Sequence, residues 1–160
     1  MTNIAAGERA RFVSDPGADV LEMQLELEPV HHGPPAHVHP GAVESFEVTS
    51  GALELLVGRQ WRRLEAGEQL AVSAGLRHTY RGIVGQSSRT TVRITPGAPM
   101  RAFLTDLYGL AEQGRVDAEG SLRVREAARL FRAHPMAMAV AGVPHWLQQP
   151  LWRVIARGPS

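Results

Sequence analysis

The chain has 160 residues, a formal net charge of +1 and no cysteine. This length suits one domain with peripheral additions and is sufficient to bury a core without covalent cross-links. The absence of cysteine excludes a disulfide scaffold, a zinc ribbon and thiol catalysis, so histidine and carboxylate side chains are the only strong metal ligands available.

Charge and hydropathy point to a cytoplasmic protein. Basic and acidic residues are nearly balanced, at 17 and 16, so the chain lacks the strongly basic character typical of nucleic-acid binding. The N-terminus has no charged-then-apolar secretion signal, and no apolar run reaches the roughly 18 residues that a membrane span needs. We therefore expect neither a nucleic-acid partner nor a membrane partner.

Residues 10–95 have the pattern of short strands separated by turns. Leu21, Met23, Leu25 and Leu27 alternate with polar residues, which predicts a strand with one buried face. Further strands are predicted at 36–39, 44–49, 52–57, 61–64, 69–73, 78–81 and 88–94. Short strands at this spacing predict an all-β fold, a small antiparallel barrel or sandwich.

After Pro96-Gly97 the apolar period becomes helical. Pro99 suits the first turn of one helix, and a second predicted helix ends at His134. A last apolar segment covers residues 146–155. The sequence thus predicts a barrel over residues 1–97 and a helical extension over 98–160, packed on the barrel or on a partner subunit.

Four residues have the spacing of metal ligands. His37 and His39 lie two apart, so in a strand their imidazoles share one face. Pro40-Gly41 predicts a turn that brings Glu44 back beside them, and His78 lies on a later strand. Imidazole nitrogens with one carboxylate suit a divalent transition metal.

The same residues resemble the two motifs of the cupin family. The first motif, a His-x-His pair, a Glu and a later Gly, is matched by His37-Val38-His39, Glu44 and Gly51. The second is matched from Gly67 through Gly75 to His78. Two positions depart from it, because Ser73 replaces a proline and Gly82 an asparagine. Both shape turns, so the ligand positions are retained.

The resemblance covers roughly residues 20–95 and implies a double-stranded β-helix, or jelly roll. It implies that His37, His39, Glu44 and His78 bind Fe, Mn, Ni, Zn, Co or Cu, and that the protein is a homodimer. The helical tail resembles additions found in small bacterial cupins of unassigned function.

Strand parity predicts an apolar pocket around the metal. Tyr80, two residues after His78, is expected to face inward, where its hydroxyl could bind a substrate oxygen. His31 and His32 are expected on an exposed turn, with the pocket mouth as the alternative. Few acid-base groups are expected beyond the metal ligands. The residues predicted to line the pocket are Met23, Leu25, Phe46, Val48, Leu55 and Val92.

These features favour a metal-dependent enzyme acting on a hydrophobic or aromatic small molecule. A dioxygenase-like oxidation is the first hypothesis, with Glu44 doubling as a base and Tyr80 as a hydrogen-bond donor. A redox-neutral isomerase, cyclase or lyase is the alternative, and a non-catalytic binding or sensing protein is the third. Fold alone does not decide among them.

Overall fold

The chain forms two facing antiparallel sheets, seen in a computed structural model that describes residues 1–29, 31 and 33–157. Strands β1 to β6 lie at Thr2–Asn3, Glu8–Phe12, Leu21–Leu27, His37–Val38, Val43–Ser50 and Ala52–Val57. Strands β7 to β11 lie at Gln60–Glu65, Gln69–Val72, His78–Gly82, Ser88–Thr95 and Ala139–Val140. The prediction of an all-β antiparallel fold is confirmed.

The strand order shows how distant segments become neighbours. One sheet runs β1-β2-β3-β10-β5-β8 and the other β11-β4-β9-β6-β7. Every pair of neighbouring strands in these two orders is antiparallel. The second sheet sets β4 against β9, and the first places β5 between β10 and β8.

Period-two patterning supplies the core between the sheets. In β3, Leu21, Met23, Leu25 and Leu27 are all buried, whereas the polar residues between them are not. Burial of one face fixes the register, because a shift of one residue would turn every apolar side chain to solvent. The predicted half-buried strand is present with this parity.

Three helices follow the sheets: α1 at Ala98–Glu112, α2 at Val124–Ala133 and α3 at His145–Arg157. α1 and α2 fall where helical spacing predicted them, and α3 covers the last apolar segment. Trp152 stacks on Phe131 of α2, with ring centroids 5.4 Å apart, whereas Trp146 is largely exposed. No helix in the described part of the chain is long and apolar enough to cross a membrane.

A short strand after α2 ties the helices to the sheet. β11 pairs with β4, matching Ala139 with Val38 and Val140 with His37. The buried side chain of Gln148, on α3, donates to the carbonyls of Val140 and Val143 and accepts from the Val140 N–H. The extension therefore continues the sheet that carries the histidine pair.

Candidate metal centre and its cavity

The strand pairing brings the four predicted ligands together. His37 on β4 is paired directly with His78 on β9, and Glu44 enters from β5 of the facing sheet. One ligand atom from each of His37, His39, Glu44 and His78 lies within 4.8 Å of all the others. All four residues are buried. The group could hold a metal ion.

Backbone carbonyls orient each imidazole. The Nδ1–H groups of His37, His39 and His78 donate to the carbonyl oxygens of Pro35, Ala137 and Leu76, at 2.9, 2.8 and 2.8 Å. A carbonyl oxygen only accepts, so Nδ1 must carry the proton in each ring. In a neutral ring this leaves the Nε2 lone pair free for a metal.

The carboxylate of Glu44 gives a test of whether a metal fits. Its Oε2 atom lies 3.1 Å from Nε2 of His39 and 2.8 Å from Nε2 of His78. If both rings are neutral, the Nε2 atoms of His39 and His78 direct lone pairs, not hydrogens, at the Glu44 oxygen. Either protons or a cation must lie among them. Three imidazole nitrogens and one carboxylate are a donor set that suits a divalent transition metal.

The protonation equilibria also favour ligand forms. Burial, together with the neighbouring His78 and His39, lowers the pKa of His37 to about 3, so this ring is neutral near pH 7. Burial would raise the pKa of Glu44, but hydrogen bonds from His39 and His78 lower it well below its usual value. Burial also opposes charge on His39, yet its bond to Glu44 raises the pKa of that ring. A metal would bind in competition with this proton.

A cavity of about 180 Å³ adjoins the centre. His37, His39 and Glu44 reach its wall, whereas His78 is not among the lining residues. Most of the apolar wall comes from the helical extension rather than from the barrel. Its apolar lining from the extension comprises Met100, Phe103, Leu104, Leu107, Leu122, Ala127, Leu130, Phe131 and Met138.

The six residues predicted to line the pocket separate into two groups. Met23 lines the cavity. The other five are buried in the core and do not reach it: Leu25, Phe46, Val48, Leu55 and Val92. Parity placed them on the inner faces of the sheets, where they pack on one another and fill the space.

A second polar group faces the same cavity. The Glu8 carboxylate accepts hydrogen bonds from the Tyr108 hydroxyl, from the Tyr80 hydroxyl at 2.9 Å and from Nε2 of His31 at 3.0 Å. All four side chains line the cavity. Burial would raise the pKa of Glu8, but the bonds from His31, Tyr108 and Tyr80 lower it overall. The cavity therefore holds more acid-base groups than the sequence predicted.

The expectation of an exposed turn is wrong for His31. This residue is buried, and its ring stacks on Tyr80 with centroids 5.6 Å apart. The prediction for His32 falls outside the described residues. The role of Glu8 was missed, although it shares strand parity with Ala10 and Phe12 in β2. That parity was the available signal, in a strand of only five residues.

Comparison with known proteins agrees with this fold. Residues 23–88 match the Cupin_2 family, described as a cupin domain. Residues 23–88 therefore resemble a cupin domain, and C-terminal helices follow this region. No curated protein sequence matches the chain.

Three solved structures illustrate the likeness, each matching 56 % of this chain. KdgF from Halomonas sp. is 19 % identical over 79 % of its own length, with a TM-score of 0.51. TT1209 from Thermus thermophilus is 21 % identical over 83 %, with a TM-score of 0.51. The polyketide cyclase RemF from Streptomyces resistomycificus is 23 % identical over 65 %, with a TM-score of 0.50. At these identities the likeness shows the fold alone.

Proposed function

We propose that this protein is a metal-dependent enzyme acting on a hydrophobic or aromatic small molecule. The metal ligands are His37, His39, Glu44 and His78, and the ion is Fe, Mn, Ni, Zn, Co or Cu. One observation carries the proposal: a buried set of three imidazoles and one carboxylate borders a cavity whose remaining wall is mostly apolar. Such a pocket favours an apolar ligand with a few polar anchors.

Each group at the proposed site has its own role. A divalent ion bound here supplies a Lewis acid with coordination positions left open to a substrate. The carbonyl-held imidazoles keep their Nε2 atoms directed at the ion. Glu44 is ionised and can accept a proton from a substrate beside it. Phe103 and Leu104 exclude water from the apolar end of the cavity.

A dioxygenase-like oxidation is the first reaction type. Four protein ligands leave two positions in an octahedral arrangement, enough for a substrate and an oxidant. The apolar wall suits an aromatic ring. The test is oxygen uptake by iron-loaded protein with a panel of small phenols and catechols. Consumption of oxygen that depends on Glu44 is the expected result.

A redox-neutral reaction is the second type, and a specific observation favours it. Glu8, Tyr80 and Tyr108 place proton-handling groups in the cavity. A cupin fold is also present in RemF, a polyketide cyclase. Turnover of an aromatic or polyketide-like substrate retained without oxygen, with zinc or nickel, would support a cyclase, isomerase or lyase. It would also exclude the oxidation.

Metal content tests the site before any substrate is known. Protein purified without a histidine tag should contain one first-row metal per chain by elemental analysis. His37→Ala, His39→Ala and Glu44→Ala should each abolish it. His134→Ala is the matched control, because this histidine pairs with Asp106 and belongs neither to the four-residue group nor to the residues that line the cavity. Unchanged metal affinity in all three site variants would contradict the proposal.

Turnover measurements distinguish a non-catalytic protein from an enzyme. If the metal-loaded protein binds small molecules but converts none with any first-row metal, it is a binding or sensing protein.

We also propose that the chain forms a homodimer. The α3 helix exposes Trp146, Leu147, Leu151 and Val154, an apolar surface that a second subunit could cover. Light scattering should give twice the 17.4 kDa mass of one chain, and a monomer mass would refute the proposal. The cytoplasmic location stays a prediction.

A further inference from the structure

The polar cluster formed by Glu8, His31, Tyr80 and Tyr108 is assembled from distant parts of the chain. Glu8 lies on β2, Tyr80 on β9 and Tyr108 on α1. The Glu8 side chain is only 11 % exposed and Tyr108 is 2 % exposed. Burying a carboxylate is costly unless hydrogen bonds or charges compensate it. Here the compensation comes from two phenols and one imidazole.

These three hydrogen bonds do not use all the acceptor positions of the Glu8 carboxylate. A carboxylate has about four acceptor positions. Oε2 of Glu8 accepts from His31 and Tyr80, and Oε1 accepts from Tyr108, so one position on Oε1 is available. Both phenol oxygens also keep lone pairs. Every free position in the cluster therefore accepts, and a ligand must bring a donor.

The surroundings of Glu8 also favour a ligand that brings a hydrogen-bond donor. Nδ1 of His31 accepts the Gly82 N–H at 3.3 Å, and Nε2 of the same ring donates to Glu8. No arginine in the described part of the chain forms an ion pair with Glu8. The Glu8 carboxylate thus faces the cavity with no arginine beside it among the described residues.

The distance from the metal centre suits one small ring. Tyr80 follows His78 by two residues on β9, about 7 Å along the strand. Both the cluster and the centre border the same cavity, about 180 Å³ in volume. A cavity on the order of 150 Å³ accepts a benzene ring. Met23 and Phe103 contribute apolar surface to the wall of this cavity.

We infer that the Glu8 carboxylate, held in place by Tyr80 and Tyr108, is a recognition site for a hydrogen-bond donor on the substrate, a hydroxyl or an ammonium group. The substrate is then a small apolar molecule with an anionic oxygen at the metal end and a donor at the Glu8 end. The inference rests on the proposed metal site for the first end only. Glu8 is a positioning and specificity residue in this scheme.

Three probes that differ at one substituent test it. They are 4-(aminomethyl)benzoate, 4-(hydroxymethyl)benzoate and 4-methylbenzoate, titrated calorimetrically into zinc-loaded and chelator-treated protein. Both donor probes should bind zinc-loaded protein at least about tenfold more tightly than the methyl probe, a factor that corresponds to ~1.4 kcal/mol. Glu8→Gln should reduce this preference to less than about threefold. Glu28→Gln, at an exposed glutamate, is the matched control and should leave it unchanged.

A second variant guards against misfolding of Glu8→Gln. Tyr108→Phe keeps the aromatic ring and removes one donor that competes for the carboxylate. The preference for donor probes should persist in it or increase. Its loss would assign recognition to the Tyr108 hydroxyl and overturn the inference.

The other outcomes separate this inference from the proposed function. Equal affinity of the three probes, no binding of any probe, or a preference that Glu8→Gln leaves unchanged overturns the recognition site. If zinc tightens binding but the three probes bind with equal affinity, the metal proposal stands and this inference fails. If the donor preference is present but zinc has no effect, the recognition site stands and the metal anchor fails.

Discussion

Replacing Glu44 with glutamine tests the proposed metal ligands, because Glu44 is the one carboxylate among the four. The amide has nearly the same size but no negative charge. It would lie where Oε2 now contacts His39 and His78 at 3.1 and 2.8 Å. We expect the metal-induced gain in stability to disappear, because a neutral amide is a poor ligand for a divalent ion.

The size of the effect follows from linkage. Zinc at about 100 times its Kd stabilises the native state by about 2.7 kcal/mol. For a chain of 160 residues, ~1 kcal/mol moves Tm by about 2–4 °C, so wild-type Tm should rise by about 5–11 °C. Loss of a direct ligand should weaken zinc binding at least about hundredfold. The same zinc concentration then adds only about 0.4 kcal/mol, or about 1–2 °C.

The assay is thermal unfolding of chelator-treated protein over a series of zinc concentrations. Glu47→Gln is the control, since Glu47 lies on the same strand, is partly exposed and pairs with Arg93. It should keep the wild-type shift. A Glu44→Gln variant that also keeps the full shift would refute the ligand assignment.

Three further substitutions probe the surroundings of the site. Gly33→Ala should lower the free energy of unfolding by more than about 2 kcal/mol, measured by urea titration. Gly33 has a φ of +72°, and an added Cβ would overlap the Tyr80 carbonyl oxygen. Phe103→Ala should cost about 3–5 kcal/mol in the same assay, since Phe103 is buried against the cavity. Glu8→Gln should reduce the decrease in the free energy of unfolding that occurs as the pH falls. The native pKa of Glu8 is lowered below 4.5, so its contribution is present above pH 4.5 and is lost as pH falls through the native pKa.

Matched controls accompany these substitutions. Gly41→Ala meets no atom within 4 Å and should change stability little, and an equal loss there would contradict the close approach at Gly33. Val84→Ala, at a largely exposed side chain, is the control for Phe103→Ala. If wild-type protein and Glu8→Gln lose stability in parallel between pH 5 and pH 3, the lowered pKa of Glu8 is not linked to folding.

The clustering of His37, His39 and Glu44 was predictable because these residues are close in sequence. Residues two apart in a strand share a face, and a turn after His39 returns Glu44 to the same region. His78 followed from the second motif. The carbonyl of Ala137 that orients His39 could not be predicted, since it lies 98 residues away and β11 has only two residues. Such a contact exists only after the helices have docked.

The cavity wall was predicted less well for a similar reason. The alternation of apolar and polar residues shows which face of a strand is buried. It does not show whether the buried side chains pack on one another or line a cavity. Leu25 and Val92 meet other core residues. Phe103 and Leu130 face the cavity because α1 and α2 pack across its end. Helical spacing predicted the helices, and tertiary packing decided where they lie.

The bond from His39 to the Ala137 carbonyl makes the C-terminal extension part of the metal centre. Because β11 continues the sheet and Gln148 fastens α3 to it, docking of the extension and affinity for the ion are coupled. Thermodynamic reciprocity then requires that whatever free energy docking adds to metal binding, metal binding adds to docking. A metal bound at the candidate centre would therefore protect the helical extension from local unfolding, and anything that pulls α3 away would lower the affinity for that metal.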